Sequence, residues 1–385
     1  MDYSEPTPSG GGGVPLPSSG RPSPQVVARV VLTSGHRVAQ GYTADVARQQ
    51  GTVIKVVGGK SLVASEGRVV RCDLRARIHR KLGKRLAVGD EVELLITEEP
   101  APQEPSEAPG DEAPGDEASD EEGDEQLPEG VIEKILPRRS ALRRVRDFKR
   151  DQIVCANVDR VFVVTAVLDP PYKRNFIDRV IVGCERDGLE PFLVFNKVDL
   201  ADDAYAELIA ADVRVYTEIG YPALCVSASA GFGTDQLAEA FRGRISAVVG
   251  PSGVGKSTLL NEICPGLNLR TGAVSEHDGR GRHTTTAAEL IPLPSGDGYV
   301  VDTPGLRGFG LWDLAPGDVA RGFREISEVA AGCKFRNCLH KSEPSCAVRL
   351  ALEEGEVDEE RFESYLRLVE ELESAPEHRQ ASRRR

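Results

Sequence analysis

The chain has 385 residues, with 48 Lys or Arg against 61 Asp or Glu and a formal charge of -13. That length allows two or three domains with sizeable cores. The longest apolar runs, Val161 to Leu168 and Ile245 to Val249, fall far short of the roughly 18 residues of a membrane span, and Met1-Asp-Tyr-Ser-Glu-Pro lacks the basic flank and apolar core of an export signal, so a membrane protein is excluded and a cytoplasmic one expected.

Residues 1–25 are rich in Pro, Gly and Ser and read as a disordered leader. From Gly51 onward short β-rich pieces follow one another: Thr52 to Val57, Ser61 to Ala64, Arg68 to Leu74, Asp90 to Thr97 and, after an interruption, Gly130 to Leu136. Five such strands within residues 50–146 predict a small barrel of the oligonucleotide-binding (OB) type, with an SH3-like barrel as the competing reading. The interruption, Glu98 to Glu129, holds 14 acidic residues and no Lys or Arg, which leaves the rest of the chain near +1. Its composition of Glu, Asp, Pro, Gly, Ala and Ser cannot bury a core and reads as a disordered insertion in a barrel loop.

Two basic runs stand out on this balanced background. Arg68 to Arg85 has eight Lys or Arg against Asp73, and Lys134 to Arg150 has eight against Asp147. They fit either a solvated face neutralised by nearby Glu or a phosphate-binding surface.

Over residues 147–327 the pattern changes to alternating strands and helices, beginning with Val161 to Val167, a helix with Ile177, Val180, Ile181 and Cys184 on one face, and Phe192 to Phe195. This alternation predicts a parallel sheet covered by helices. After Phe195 comes Asn196-Lys197-Val198-Asp199. Asp199 can accept from guanine N1 and N2, and adenine would leave this buried carboxylate unpaired. Asn196 would tie the loop to neighbouring backbone, Lys197 would lie along the base plane, and Ser227-Ala228 could offer a backbone N–H to guanine O6.

The strand Ile245 to Val249 leads into Gly250-Pro251-Ser252-Gly253-Val254-Gly255-Lys256-Ser257-Thr258 and a helix beginning near Lys256. This is the strand, turn and helix setting of a phosphate loop, in which Lys256 pairs with the β and γ phosphates and Ser257 holds Mg2+. Asp302, at the end of Tyr299 to Val301, would reach Mg2+ through water, Gly305 would approach the γ phosphate, and one Thr of Thr284 to Thr286 would complete the metal shell. An ordinary GTPase has its phosphate loop before its guanine motif; here the order is reversed, the mark of circular permutation. Leu306 stands where a Ras-like enzyme has its water-orienting Gln, so another group must serve. His283 is the nearest candidate, its alternative being a structural or exposed residue.

Residues 328–375 read as a helical metal-binding module. Cys333, Cys338, His340 and Cys346 lie within fourteen residues and suit one structural, tetrahedral Zn2+, with redox or packing roles as alternatives. Phe362, Tyr365, Leu366, Val369 and Leu372 then recur at helical spacing, as a stripe that packs this module onto the GTPase core. Residues 376–385 form a solvated tail.

Taken together, the permuted motifs, the preceding barrel and the Cys-x4-Cys-x-His-x5-Cys module resemble the bacterial small-subunit-dependent ribosomal GTPases of the RsgA (YjeQ) family. The resemblance runs from about residue 50 to 375 and is most specific in Gly250 to Asn261, Gly281 to Ala288, Asp302 to Trp312 and the Cys/His cluster. It implies a GTPase of late 30S subunit maturation that binds GTP or GDP with Mg2+, contacts 16S rRNA through its barrel, and is stimulated by the small subunit. It also implies His283 as the catalytic residue and Thr285 as the Mg2+ ligand, in a monomer with no membrane partner. The acidic insertion and the Pro/Gly/Ser leader depart from the family pattern. The competing function is a GTP-dependent switch that recruits a protein partner without an rRNA target.

Overall fold

The computed structural model describes residues 48–57, 59–75, 86–98, 127–147, 150–264, 288–302 and 314–374. Its first five strands are β1 (Arg48–Val57), β2 (Lys60–Ser65), β3 (Arg68–Leu74), β4 (Glu91–Glu98) and β5 (Glu129–Ile135). They run in the order β1-β2-β3-β5-β4, and a β1–β4 pairing closes the ring. The β3–β5 pair is parallel and the others antiparallel, which is the OB arrangement rather than the SH3-like one. Alternate residues point inward, so Val53, Val63, Val70, Cys72, Val92, Leu94 and Ile132 fill the interior.

The acidic insertion leaves from β4 and returns in β5 at directly paired residues, Glu98 opposite Glu129. It is therefore an excursion within one barrel; residues 99–126 themselves lie outside the described residues, as do the leader and the tail. Several members of the basic runs are engaged. Arg75 pairs with Glu133, Lys134 bonds Glu93 at 2.8 Å, and neither Arg68 nor Arg71 is without a partner.

The second basic run holds a hairpin that the sequence pattern did not reveal, β6 (Ala141–Asp147) against β7 (Arg150–Ala156). The expected boundary after residue 146 falls at its tip. Next come β8 (Arg160–Ala166), α1 (Arg174–Asp187), β9 (Glu190–Asn196), α2 (Asp203–Glu218), β10 (Ala223–Cys225), α3 (Thr234–Phe241), β11 (Ile245–Val249), α4 (Lys256–Ile263), β12 (Glu289–Pro292) and β13 (Tyr299–Asp302). Every residue of β8 is buried because helices cover both faces of the sheet, which is why its sequence is an unbroken apolar run. On α1, Ile177, Val180, Ile181 and Cys184 enter the core as their spacing predicts.

The strand order is β10-β9-β8-β11-β13-β12, parallel except for β12. The chain steps outward from β8 to β9 and β10, then returns to place β11 on the other side of β8. The order thus reverses between β8 and β11, and the crevice beyond their carboxyl ends is where such sheets bind ligands.

Barrel and α/β sheet are continuous, which the sequence did not indicate. Lys55 of β1 pairs with Glu289 of β12, joining all eleven strands, and their side chains form an ion pair at 3.0 Å. Asp90, fully buried, accepts from Arg138 Nε at 2.6 Å and Nη2 at 2.8 Å, and Asn157 Nδ2 donates to the Gly89 carbonyl at 2.8 Å.

Beyond β13 come a 3-10 stretch (Pro316–Gly322), α5 (Arg324–Ala330), α6 (Ala347–Glu353) and α7 (Glu359–Ser374). Phe362, Tyr365 and Val369 of α7 are buried in a cluster that includes Val182 of α1, while Leu366 and Leu372 are only partly covered and Leu368 completes the stripe. The stripe also contains Arg361, fully buried. Its guanidinium reaches Asp178 of α1 at 2.5 Å and Glu325 of α5 at 2.8 Å and stacks over Phe323 with 4.5 Å to the ring centre; Tyr216 of α2 donates to Asp178 at 2.9 Å. Among the described residues, no helix is long and apolar enough to cross a membrane.

Candidate nucleotide and metal sites

Asn196 closes β9 and is the junction of the crevice. Its amide Nδ2 donates to the Val254 carbonyl at 2.8 Å and its Oδ1 accepts the Ala228 N–H at 3.3 Å. One buried side chain thus ties the guanine motif, the Ser227-Ala228 loop and the phosphate loop together, as its expected tethering role requires. Gly255 makes room for it. At φ +90° the residue occupies left-handed backbone, and a Cβ there would run into the Asn196 amide nitrogen. The Ala228 N–H, expected to face guanine O6, here bonds Asn196.

Lys197 is itself left-handed, at φ 63°, and its ammonium donates to the Asp169 carbonyl just beyond β8. Val198 is half-buried at the start of a 3-10 turn, Val198–Leu200. Asp199 departs from expectation: its side chain is exposed rather than buried, because the turn projects it from the sheet end. Ser227 Oγ donates to its Oδ1 at 2.5 Å and Ser229 Oγ to its Oδ2 at 3.3 Å. The Ser227 hydroxyl above all holds the carboxyl below the usual carboxylate range. Ser229 was missed in the sequence; the only signal was a hydroxyl two residues after Ser227.

The phosphate loop runs from β11 to α4. Gly250 lies against the Val164 carbonyl of β8, where a Cβ would overlap that oxygen, and Gly253 is left-handed at φ +83°. Val254 turns inward and is buried, leaving Pro251, Ser252 and Gly253 exposed. Among the described residues no side chain caps α4, which leaves its first N–H groups open beyond the carboxyl end of β11, as anion binding at a helix N-terminus requires. Lys256 Nζ donates to the carbonyls of Gly250 at 2.9 Å and Pro251 at 2.6 Å, which holds the ammonium at the loop. Ser257 is half-buried and Thr258 exposed in the first turn of α4. Asp302 ends β13, the strand paired beside β11. Thus the main chain places it at the same sheet edge. His283, Thr285, Gly305 and Leu306 lie outside the described residues.

In the C-terminal region Cys333, Cys338, His340 and Cys346 converge, with their four ligand atoms all within 4.8 Å of one another. Cys333 Sγ lies 3.9 Å from Cys346 Sγ and 3.5 Å from His340 Nδ1, which is itself 3.3 Å from Cys346 Sγ. Tetrahedral ligands at about 2.3 Å for sulfur and 2.0 Å for nitrogen stand roughly 3.5 to 3.8 Å apart, so the residues present fit a metal ion. Burial lowers the His340 pKa, which favours the neutral ring a ligand needs. It pushes the Cys338 thiol up to about 12, and the neighbouring thiols push in the same direction. Glu343 accepts the Leu339 N–H at 2.7 Å and the Tyr365 hydroxyl donates to the Leu339 carbonyl at 2.9 Å, so α7 braces the loop that carries His340.

Residues 135–312 match the family model described as RsgA GTPase. A protein of Actinobacillus pleuropneumoniae serotype 5b named small ribosomal subunit biogenesis GTPase RsgA is 43% identical over 325 residues, covering 84% of this chain and 85% of the relative. One of the same name from Haemophilus influenzae strain 86-028NP is 42% identical over 262 residues, covering 68% of this chain and 75% of its own length. Among solved structures, YjeQ from Thermotoga maritima superposes with a TM-score of 0.67 at 32% identity, covering 86% of this chain and all of that one. YloQ, described as a circularly permuted GTPase, superposes with a TM-score of 0.64 at 26% identity, covering 88% of this chain and 99% of that one.

Proposed function

Because the chain belongs to the RsgA GTPase family, we propose that this GTP hydrolase acts in maturation of the 30S ribosomal subunit, in the cytoplasm and as a monomer. The observation that carries the reading is the Asn196 junction, which joins a guanine motif to a phosphate loop in permuted order, in a chain 43% identical to a relative named for small-subunit biogenesis.

In this reading Asp199 reads the guanine edge and Lys197 lies along the base. The N–H groups from Gly253 to Thr258 and the Lys256 ammonium receive the phosphates. Ser257 and Thr285 would hold Mg2+, with Asp302 behind them, and Gly305 would approach the γ phosphate; bound there, Mg2+ neutralises charge on the β and γ oxygens. His283 orients or deprotonates the attacking water, since Leu306 cannot hydrogen-bond it. The barrel contacts 16S rRNA. Cys333, Cys338, His340 and Cys346 hold one structural Zn2+, the ion that a closed set of three thiolates and an imidazole favours.

The test is GTP turnover by the purified protein alone, with 30S subunits and with 50S subunits. Turnover is expected to be slow alone and stimulated by 30S particles specifically. Equal rates in all three assays would overturn the ribosomal reading, and equal turnover of ATP the guanine reading. Single-turnover hydrolysis on saturating 30S subunits then tests His283→Ala: the variant should bind and remain on the particle without stimulated hydrolysis, and full stimulation would remove His283 from the chemistry.

A further inference from the structure

Asp199 is the exposed middle residue of the short turn Val198–Leu200, and among the described residues its carboxylate is held by hydroxyl groups of one neighbouring loop. Ser227, fully buried and accepting the Ala230 N–H at 3.2 Å, is a fixed donor to Oδ1 at 2.5 Å. A carboxylate held through one oxygen can still turn about its Cβ–Cγ bond, where the torsional preference is broad. Ser229 supplies the second point. Its hydroxyl has one proton, which reaches Oδ2 at 3.3 Å or Ser227 Oγ at 3.1 Å. The first setting pins the other carboxylate oxygen, and the second strengthens the Ser227 bond by polarising its donor.

We propose that Ser229 is a positioning residue for guanine specificity: its hydroxyl fixes the plane of the Asp199 carboxylate so that both oxygens meet the guanine N1–H and 2-amino group together. The inference rests on the reading of Asp199 as the group that recognises the base. Guanine presents two donors to this edge and hypoxanthine one, so a carboxylate that turns loses more with guanine. Removing the Ser229 hydroxyl therefore narrows the preference for guanine over hypoxanthine rather than weakening all nucleotides alike. The contact is long and exposed, so the expected effect is about threefold to fivefold on guanine nucleotide affinity.

The experiment displaces a fluorescent GDP from the full chain with GDP, IDP and XDP, for the wild type and for Ser229→Ala, Ser229→Thr and Asp199→Asn. Ser229→Ala should lose about threefold to fivefold in GDP affinity and clearly less in IDP affinity. Ser229→Thr keeps the hydroxyl at an exposed position and should restore the wild-type GDP to IDP ratio. Asp199→Asn should turn the preference toward XDP, whose O2 accepts where guanine donates. If that variant still prefers GDP to XDP, the reading of Asp199 fails and the inference with it. If the preference does reverse, three results overturn the role of Ser229 alone: an unchanged GDP to IDP ratio in Ser229→Ala, an equal loss for both nucleotides, or a Thr variant that behaves like Ala.

Discussion

At the nucleotide crevice, Asn196 at the end of β9 meets Ala228 and Val254 from two separate loops at the same edge of the sheet, while Asp199, Pro251 and Ser252 stay open to solvent. At the Cys/His cluster all four side chains come from fourteen consecutive residues; His340 and Cys346 are buried, and α7 leans over the loop. A site that must admit and release a nucleotide is built on the rim of a rigid sheet and left open. One that holds an ion for structure is closed by its own chain and by the helix beside it. The crevice depends on a sheet that folds around two apolar faces, whereas the cluster depends, in the proposed reading, on a bound ion and, for the helix beside it, on the buried Arg361 contacts that seat α7 on α1 and α5.

Removal of the metal should divide the two regions most sharply. Structural zinc in small modules contributes on the order of 10 kcal/mol. Chelation, or Cys346→Ala, should expose the amides of α6 and α7 to hydrogen exchange while β8, β9 and β11 stay protected. The purified chain should carry one zinc ion; a zinc-free chain with equally protected helices would break the contrast.

Arg361→Met should come next. It leaves Asp178 and Glu325 buried without their cation, which costs about 3 to 5 kcal/mol. Urea unfolding should show the loss, and adding Asp178→Asn and Glu325→Gln should recover much of it. No recovery would mean that Arg361 acts through packing on Phe323 rather than through charge.

Gly255→Ala attacks the crevice instead. Left-handed backbone and overlap with the Asn196 amide together should cost roughly 1 to 3 kcal/mol. Because the strain falls on the Asn196 junction, GDP affinity should drop by roughly tenfold while metal content stays at the wild-type level. Equal affinity would show that the junction relaxes without consequence.

The smallest expected effect is a flat line. The folded-state pKa of Asp199 is depressed, so the carboxylate stays ionised from pH 8 to pH 5, and its contribution is lost only as pH falls through a value below the ordinary carboxylate range. GDP affinity measured across that window should show no step due to Asp199. A step that is absent in Asp199→Asn would contradict the hold of Ser227 on it.

Much of the crevice was legible because its parts are short strings at strand ends, and strands announce themselves. The apolar run of β8 and the string from Gly250 to Ser257 each carry their signal within a few residues. So does the Cys/His cluster, whose ligand spacing is local. The exposure of Asp199 was not legible, since it depends on how far a three-residue turn projects from the sheet. Nor was the β6–β7 hairpin, whose many arginines obscure the alternation that marks a strand. Arg361 left the faintest trace, a single cation inside an apolar stripe, because its partners Asp178 and Glu325 stand far away in sequence.

The sequence by itself determined the order of the parts: a barrel, a permuted nucleotide-binding sheet and a helical module carrying a Cys/His cluster. The chemistry each part can perform was also written there, because phosphate loops, guanine motifs and thiolate clusters need particular residues at particular short spacings. Only the tertiary structure decided that β1 and β12 join barrel and sheet, that Asn196 fits where Gly255 has no side chain, and that Arg361 seats the last helix. Each of these is a contact between segments far apart in the chain, set by how closely backbones approach and which charges are buried together, and no spacing along the sequence encodes that distance.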